Sequence, residues 1–347
     1  MNAPRQHIPQ LVIALFLALM TGAAIWLRIP LSWVVNDALV RLAMNGVLVL
    51  SLVPMLNAGI GINFGLPVAV VAGLLGMCLA VNWRMTGLTG FVAAVLMAAV
   101  IAVIFGSVFG RILNRVRGRE EITATFIGFS FIPLTNFFWA TAPFTNPAML
   151  WPIGGKGMRP TIGLKSSFAK ILNDFLPLEI GPFVIPCGLL LFFACSCLLV
   201  HLFFRCATGK AMQAVGENEG YARLCGIDID WMRQLATILS TVIGAVGICV
   251  YAQSYGFIEL YDAPMMMAFP AASALLIGGS ITGRTSVLNV ILGTFLFHTM
   301  YILSGPLAND LLVPEMAELF RLLLTNGVIL FAMLHAGGRS GKPCAAM

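Results

Sequence analysis

The stretch that decides the fold is Leu88–Gly110, which reads LTGFVAAVLMAAVIAVIFGSVFG and contains no charged residue. A helix needs about 20 apolar residues to cross the hydrocarbon core of a bilayer, and this stretch is long enough. Its apolar residues are continuous rather than alternating, which argues against a membrane β-strand. Because lipid offers the backbone no hydrogen-bond partners, a helix satisfies the N–H and C=O groups of a span by itself. We therefore predict a transmembrane helix here.

The composition of the whole chain extends this interpretation. Of the 347 residues, 59% are hydrophobic and only 10% are charged, and the mean hydropathy is +0.95. Soluble domains carry about 25% charged residues, so this chain has too few charges to cover a water-facing surface. The formal net charge is +6. Its basic residues cluster in short loops, which indicates membrane orientation rather than nucleic-acid binding.

Similar apolar stretches recur along the chain. We predict an all-α polytopic membrane protein with about ten transmembrane helices in two related halves, including broken or re-entrant segments. One transmembrane domain occupies residues 1–347, with an external loop at 140–179 and an internal loop at 205–234. The predicted spans are 8–27, 38–56, 62–81, 88–110, 122–139, 180–204, 235–252, 265–280, 286–304 and 317–335.

The distribution of basic residues predicts an orientation. With the N-terminus inside, most Arg and Lys residues of the short loops fall on the inner side, in segments 111–119 and 205–233. Short cytoplasmic loops carry an excess of these residues. We therefore expect a multi-pass protein of the bacterial cytoplasmic (inner) membrane with both termini in the cytoplasm.

The predicted spans contain little that could perform chemistry. Arg41 and Arg321 lie near the outer ends of their predicted spans, where long side chains reach the interface. Ion-coupled carriers keep an ionisable group in the membrane, and His298 is a weak match for that role. The sequence has no G-x-x-x-x-G-K-S/T phosphate loop and no metal spacing among its cysteines. We predict no enzyme activity, no cofactor and no metal, with energy supplied by another chain; a secondary carrier or channel for a neutral solute is the alternative.

Two glycine-rich segments interrupt the apolar pattern, one in each half of the chain. The first break is 57–67, NAGIGINFGLP, and the second break is 277–284, IGGSITGR. Irregular backbone at membrane depth is tolerated where it is buried or lines a cavity, and paired interruptions in two halves point to a transport pathway. Ordinary turns between spans would give the same pattern, so both interpretations stay open.

The internal loop carries the most informative sequence, GKAMQAVGENEGYARLCGIDID at 209–230. Its polar and glycine residues predict two short helices around 216–220, the second starting at Glu217, Asn218 or Glu219, since Asn and acidic residues favour helix N-termini. A short helix with a small apolar patch suits docking into a groove of a partner.

This loop resembles the coupling loop of the ribose/branched-chain amino acid type of ABC importer permease. That family has an A-V-G-x-N-x-x-A-A-R-x-x-G-I pattern, and residues 214–227 read AVGENEGYARLCGI. The second break, with LIGGSITGR at 276–284, resembles the family segment V-I-G-G-T-S-L-x-G-G. The resemblance implies a permease subunit that works with cytoplasmic ATP-binding subunits, a second identical or homologous permease subunit and an external substrate-binding protein.

The resemblance also implies that the loop docks on the ATPase. We assign this coupling to Gly216, Glu217, Asn218, Tyr221, Ala222, Arg223 and Leu224. Neutral solutes need neutral hydrogen-bond partners, so we look for the translocation path among polar and aromatic residues of the spans. The residues chosen are Asn57, Asn63, Phe64, Asn136, Phe137, Gln253, Ser273 and Asn326. A single residue of this kind is more often a hydrogen-bond partner between helices or an anchor at the membrane interface, so the path prediction applies to the set.

Departures from the family pattern bear on the solute. Sugar permeases have G-G-I-D-L-S-V-G where this chain has AGIGINFG at 58–65, so the aspartate is missing. The segment 121–125, EITAT, resembles nucleoside members instead. We expect a small polar solute, with a sugar first, a nucleoside or related heterocycle second and a branched-chain amino acid third.

Overall fold

The computed structural model describes residues 8–151, 157–279 and 285–311, together with Leu319 and Gly327. In chain order the helices are α1 (Ile8–Trp26), α2 (Leu31–Leu50), α3 (Val53–Asn57), α4 (Leu66–Asn82), α5 (Gly87–Arg115), α6 (Glu120–Thr141), α7 (Ile171–Asp174), α8 (Cys187–Arg205), α9 (Ala207–Glu217), α10 (Glu219–Leu224), α11 (Ile229–Tyr255), α12 (Ala263–Met266), α13 (Ala268–Ile277) and α14 (Val287–Leu311). The strands are β1 (Thr161–Gly163), β2 (Pro177–Ile180), β3 (Phe183–Pro186) and β4 (Phe257–Glu259).

The fold is that of a multi-pass membrane protein. Within the described residues, six helices are long and apolar enough to cross a membrane, namely α2, α5, α6, α8, α11 and α14. Shorter apolar helices occupy Ile13–Trp26, Leu66–Asn82 and Ala263–Ile277. The total of ten spans and the two related halves stay predictions. The predicted tenth span, 317–335, lies outside the described residues except for Leu319 and Gly327.

Helix α11 is the centre of the bundle, where it packs against α5, α4 and α2. Small residues let these helices approach closely, as they do in other membrane bundles. At Gly76 of α4, an added Cβ would lie 2.5 Å from the backbone nitrogen of Ala98 in α5. The close packing of α4 and α5 therefore depends on glycine at this position.

The second predicted span begins earlier than expected. Helix α2 follows Pro30 and runs from Leu31 to Leu50, and α3 then continues to Asn57. Proline is favoured at a helix start because it has no N–H to satisfy. Arg41 consequently lies near the middle of α2, and its expected position near a helix end was wrong.

The sixth predicted span also needs correction, because residues 180–186 are not helical. β2 and β3 form an antiparallel hairpin that pairs Ile180 with Phe183, and α8 begins only at Cys187. Gly181 at the turn has a φ of 60°, in the left-handed region that glycine adopts at little cost. A second small sheet pairs β1 with β4 and ties the 140–179 loop to the end of α11. The fold is therefore mainly helical, with four short strands in the described residues.

The two ends of the bundle differ in content. The coupling-loop end holds α9, α10, the first break and the turn between α5 and α6, whereas the opposite end holds all four strands. The first break is non-helical from Ala58 to Gly65, as predicted. At the second break, α13 ends at Ile277 and α14 begins at Val287; residues 280–284 lie outside the described residues.

Candidate functional site

The internal loop folds into two short helices, α9 and α10, which confirms the sequence prediction. The side chain of Asn218 caps α10 by accepting a hydrogen bond from the backbone N–H of Tyr221 at 3.0 Å. Asp228 caps α11 in the same way, accepting from the N–H of Trp231 at 3.1 Å. Each cap satisfies a backbone donor that the first turn of a helix leaves free. The loop is therefore a defined structure between α8 and α11.

Helix α10 presents apolar side chains outward at the tip of this loop. Tyr221 is 64% exposed and Leu224 is 88% exposed, and Trp231 at the start of α11 is also exposed. Ala222 lies on the other face of α10, where it is buried against α9 and α11. Clustered exposed apolar residues mark interaction surfaces. The other residues assigned to coupling are exposed as well, namely Gly216, Glu217, Asn218 and Arg223.

The end of α9 lies directly against the first break. An added Cβ on Gly216 would overlap the carbonyl oxygen of Asn57 and lie 2.8 Å from the backbone nitrogen of Gly59. Gly59 has a φ of 72°, so its backbone is in the left-handed region. The two backbones meet at this point without an intervening side chain. A displacement of α9 would therefore act on the break directly.

Asn57 joins the first break to the residue that follows the second break. Its Nδ2 donates to the carbonyl of Thr285 at 3.1 Å, and its Oδ1 accepts from the N–H of Thr285 at 2.8 Å. Both residues are buried. A single amide thus links the first break to the residue after the second break by two hydrogen bonds.

Charged residues surround the same end of the bundle. Arg233 of α11 is only 3% exposed, and it forms ion pairs with Glu120 of α6 and with Glu219 of α10, the latter at 3.0 Å. Arg117 pairs with Asp230 and, at 3.6 Å, with Glu219. A buried charge is costly unless it is paired. The arrangement therefore fixes α10 relative to the turn between α5 and α6.

A cavity of about 180 Å³ lies nearer the opposite end, between α2, α11 and α14. Its lining combines aromatic rings, neutral hydrogen-bonding groups and two charges. The polar and aromatic lining residues are Arg41, Asn45, Tyr251, Tyr255, Glu259, Phe297, His298 and Tyr301. Sites for small molecules have this combination of apolar walls and a few convergent polar groups.

The charges and rings of the cavity are partly engaged with one another. Arg41 forms an ion pair with Asp37 through Nε at 2.8 Å, and its guanidinium lies 5.7 Å from the ring centre of Tyr301. The rings of Tyr251 and Tyr255 stack with centres 5.2 Å apart. Burial, and then the charge of Asp262, raise the pKa of Glu259 above its ordinary value.

Asn63 and Phe64, two predicted path residues, lie within the first break and face the bundle. The Nδ2 of Asn63 donates to Ser240 of α11 at 2.9 Å. Its Oδ1 is buried, and no hydrogen-bond partner for it occurs among the described residues. The ring of Phe64 packs against Phe269 of α13 at 5.8 Å.

The remaining predicted path residues are dispersed through the structure. Gln253 is buried and binds α7, accepting from the N–H of Leu172 at 3.2 Å, and Ser273 donates to the carbonyl of Phe269 in its own helix at 2.6 Å. Phe137 is 71% exposed on α6. The Oδ1 of Asn136 is buried without a partner in the described part of the chain. Asn326 lies outside the described residues.

Sequence reasoning did not bring together the residues that line the cavity or form the ion pairs. Arg41 was expected near the outer end of its span. Tyr251 and Tyr255 were considered for the path as polar aromatic residues, but they were not among the residues chosen. Their spacing of four residues places them on one face of a helix, so this signal was present in the sequence. Arg233 and Glu120 are distant in sequence, and no pattern in the sequence indicated that they form an ion pair.

The described residues form a bundle of apolar helices, and a helical loop contacts the first glycine-rich break of that bundle. The family model described as "Branched-chain amino acid transport system / permease component" matches residues 34–333. This match covers most of the chain, and the chain therefore belongs to this permease family of ABC transporters. The resemblance seen in the sequence is confirmed. No curated protein and no solved structure matches the chain.

Proposed function

We propose that the chain is the membrane-spanning subunit of an ATP-driven importer, and that segment 206–228 binds the partner ATPase. The position of Gly216 carries this proposal. On one side of the loop Tyr221 and Leu224 are exposed, and on the other side Gly216 touches Asn57 and Gly59. A movement imposed on the exposed face would reach the first break through direct backbone contact.

The remaining partners follow from this role. Cytoplasmic ATP-binding subunits, a second identical or homologous permease subunit and an external substrate-binding protein would complete the transporter in the inner membrane of a bacterium. We place the coupling-loop end in the cytoplasm together with both termini, because the basic residues of the short loops cluster there. The residues in question are Arg111, Arg115, Arg117, Arg119, Arg205 and Lys210.

The docking surface can be tested by co-purification. We expect the double variant Tyr221→Ala/Leu224→Ala to lower recovery of the partner ATPase by about tenfold or more, because well-packed aromatic and apolar anchors in interfaces contribute about 2 kcal/mol or more each. Leu178→Ala, at an exposed apolar position on β2 at the opposite end of the bundle, serves as the matched control. An intact complex in the double variant would exclude this surface. Uptake by the chain without any ATPase would favour a secondary carrier instead.

We assign solute recognition to the cavity around Tyr251 and Tyr255, and we place a sugar first and a nucleoside or related heterocycle second. Stacked rings beside polar and charged lining groups suit a solute that has a flat apolar face and several hydrogen-bonding groups. The volume of about 180 Å³ is small beside the roughly 300–1,000 Å³ of sites for drug-sized ligands. This difference favours a solute of monosaccharide size.

The path would lead from this cavity to the first break, where Asn57, Asn63 and Phe64 lie. The Oδ1 of Asn63 is buried and has no hydrogen-bond partner in the described part of the chain, which supports this route, since a buried acceptor without a partner is costly and is retained for a reason. Uptake of labelled ribose, adenosine and leucine by the reconstituted transporter would rank the solutes. Uptake of leucine alone would overturn the ranking.

A further inference from the structure

We propose that Glu120 and Glu121, the first two residues of α6, are positioning residues that connect the coupling loop to the first break. This inference rests on the proposed coupling function of the loop. The two carboxylates are adjacent in sequence but contact different partners, one on each side of the α6 N-terminus. No sequence motif assigned either residue to coupling.

Glu120 contacts the coupling side. Its carboxylate pairs with Arg233, and the same guanidinium pairs with Glu219 at 3.0 Å. Glu219 belongs to α10, next to the exposed Tyr221. Arg233 is nearly fully buried, so its two acidic partners are required to balance its charge. A displacement of α10 therefore changes the force on Glu120.

Glu121 contacts the first break. Its Oε1 accepts a hydrogen bond from the backbone N–H of Ile62 at 3.0 Å. A Cβ at Gly61 would lie 2.7 Å from Cγ of Glu121, and Gly61 has a φ of 103°. The carboxylate thus occupies the space that a side chain at position 61 would need. The contact between the two residues therefore requires glycine at position 61, because any larger residue would overlap the side chain of Glu121.

Because α6 is a rigid helix, the contact of Glu120 with Arg233 and the contact of Glu121 with Ile62 are mechanically linked. Successive residues of a helix point about 100° apart, so adjacent side chains can bind separate elements while sharing one backbone. Two turns further along α6, Gly128 lies so close to the break that an added Cβ would be 3.0 Å from the carbonyl oxygen of Phe64. A rotation or shift of the first turn of α6 would therefore carry Ile62 and Phe64 with it.

The alternative is that both acids only stabilise the N-terminus of α6, where negative charge is favourable. Replacement by glutamine separates the two roles. Glu121→Gln removes the charge but keeps an oxygen that can accept from Ile62, whereas Glu121→Ala removes both. Glu120→Gln removes the charge that balances Arg233. Glu179→Ala, an exposed acid on β2, is the matched control at the opposite end.

The test uses the complete transporter in proteoliposomes and measures ATP hydrolysis and uptake together. For Glu121→Ala and Glu120→Gln we expect ATPase recovery and ATP hydrolysis to be retained while uptake per ATP falls about tenfold. Glu121→Gln should restore most of the uptake, and Glu179→Ala should match the wild type. Hydrogen exchange of the purified permease provides the second measurement, with faster exchange at residues 59–64 in Glu121→Ala.

The outcomes separate the two proposals. Normal uptake per ATP in Glu121→Ala overturns the inference while leaving the importer function intact. Equal defects in Glu121→Gln and Glu121→Ala, with lowered thermal stability in both, show that the charge only stabilises α6 and also overturn it. Wild-type uptake that needs no ATPase overturns the importer function itself.

Discussion

The two ends of the bundle are built from different contacts. At the coupling-loop end, backbones touch at Gly216 and Gly59, and buried ion pairs and the amide of Asn57 hold separate elements together. At the opposite end, tyrosine rings, neutral polar groups and the charged side chains of Arg41 and Glu259 line a cavity. At the first end, one element cannot move without displacing the elements that it contacts. The second end leaves space for a small molecule.

This difference shows how one chain can transmit movement at one end and recognise a solute at the other. Close-packed interiors are bistable rather than freely deformable, so a small displacement at one contact is passed to the next. Side chains that border a cavity have fewer neighbours to disturb on the side that faces the space. Substitutions at the coupling-loop end should therefore affect folding and transport together, and substitutions in the cavity should affect solute affinity alone.

The largest effect is expected for Gly216→Val. Its added side chain would overlap the carbonyl of Asn57, and overpacking of this kind costs about 1–3 kcal/mol. We expect a lower unfolding temperature of the solubilised protein and loss of uptake. Gly305→Ala, where no neighbouring atom lies within 4 Å of the added Cβ, is the control. Wild-type uptake in Gly216→Val would refute the direct contact.

A smaller effect is expected for Asn57→Ala. The change leaves the N–H and C=O of Thr285 without their partner, and each buried unpaired group costs about 1–3 kcal/mol. Water that enters the vacated space would reduce this cost, so we place the loss near 1–2 kcal/mol, as measured by chemical unfolding. Ser196→Ala, whose hydroxyl donates to the carbonyl of Phe192 in its own helix, is the comparison. If the unfolding free energies of the two variants differ by less than about 0.5 kcal/mol, the hydrogen bonds of Asn57 do not couple the two breaks.

At the cavity, Tyr255→Ala should change affinity rather than stability. An aromatic pair contributes about 0.5–1.5 kcal/mol, so the solute concentration for half-maximal uptake should rise about two- to tenfold with little change in maximal rate. Phe137→Ala, at an exposed aromatic on α6, should leave uptake unchanged. Unchanged uptake in Tyr255→Ala together with impaired uptake in Phe137→Ala would place the path along α6. The contrast between the two ends would then be lost.

The smallest effect is expected for Ser273→Ala. The hydroxyl of Ser273 bonds the carbonyl of Phe269 in its own helix, and its loss should change stability and uptake by less than about 0.5 kcal/mol. The check is the same uptake assay at several solute concentrations. A strong defect would mean that Ser273 lines the path, as its polarity within a span first indicated.

The sequence predicted the membrane class, most helices, the first break and the two short helices of the coupling loop. These features depend on local pattern: hydrophobic length, glycine and proline positions, and Asn218 as a cap. The residues that define the sites were harder to predict. Gln253, Ser273 and Asn63 are all polar residues of the bundle interior, and the sequence does not distinguish them. Only the structure shows that Gln253 and Ser273 form hydrogen bonds with backbone groups, those of Leu172 and Phe269.

By itself the sequence determined that this chain resides in a membrane and belongs to a permease family, because hydrophobicity and short motifs are local properties. Only the tertiary structure decided that Gly216 meets Gly59, that Asn57 reaches Thr285 across the chain, and that Arg233 is balanced by Glu120 and Glu219. These contacts join residues far apart in sequence. They depend on how whole helices pack, and that packing has no counterpart in the local pattern of residues.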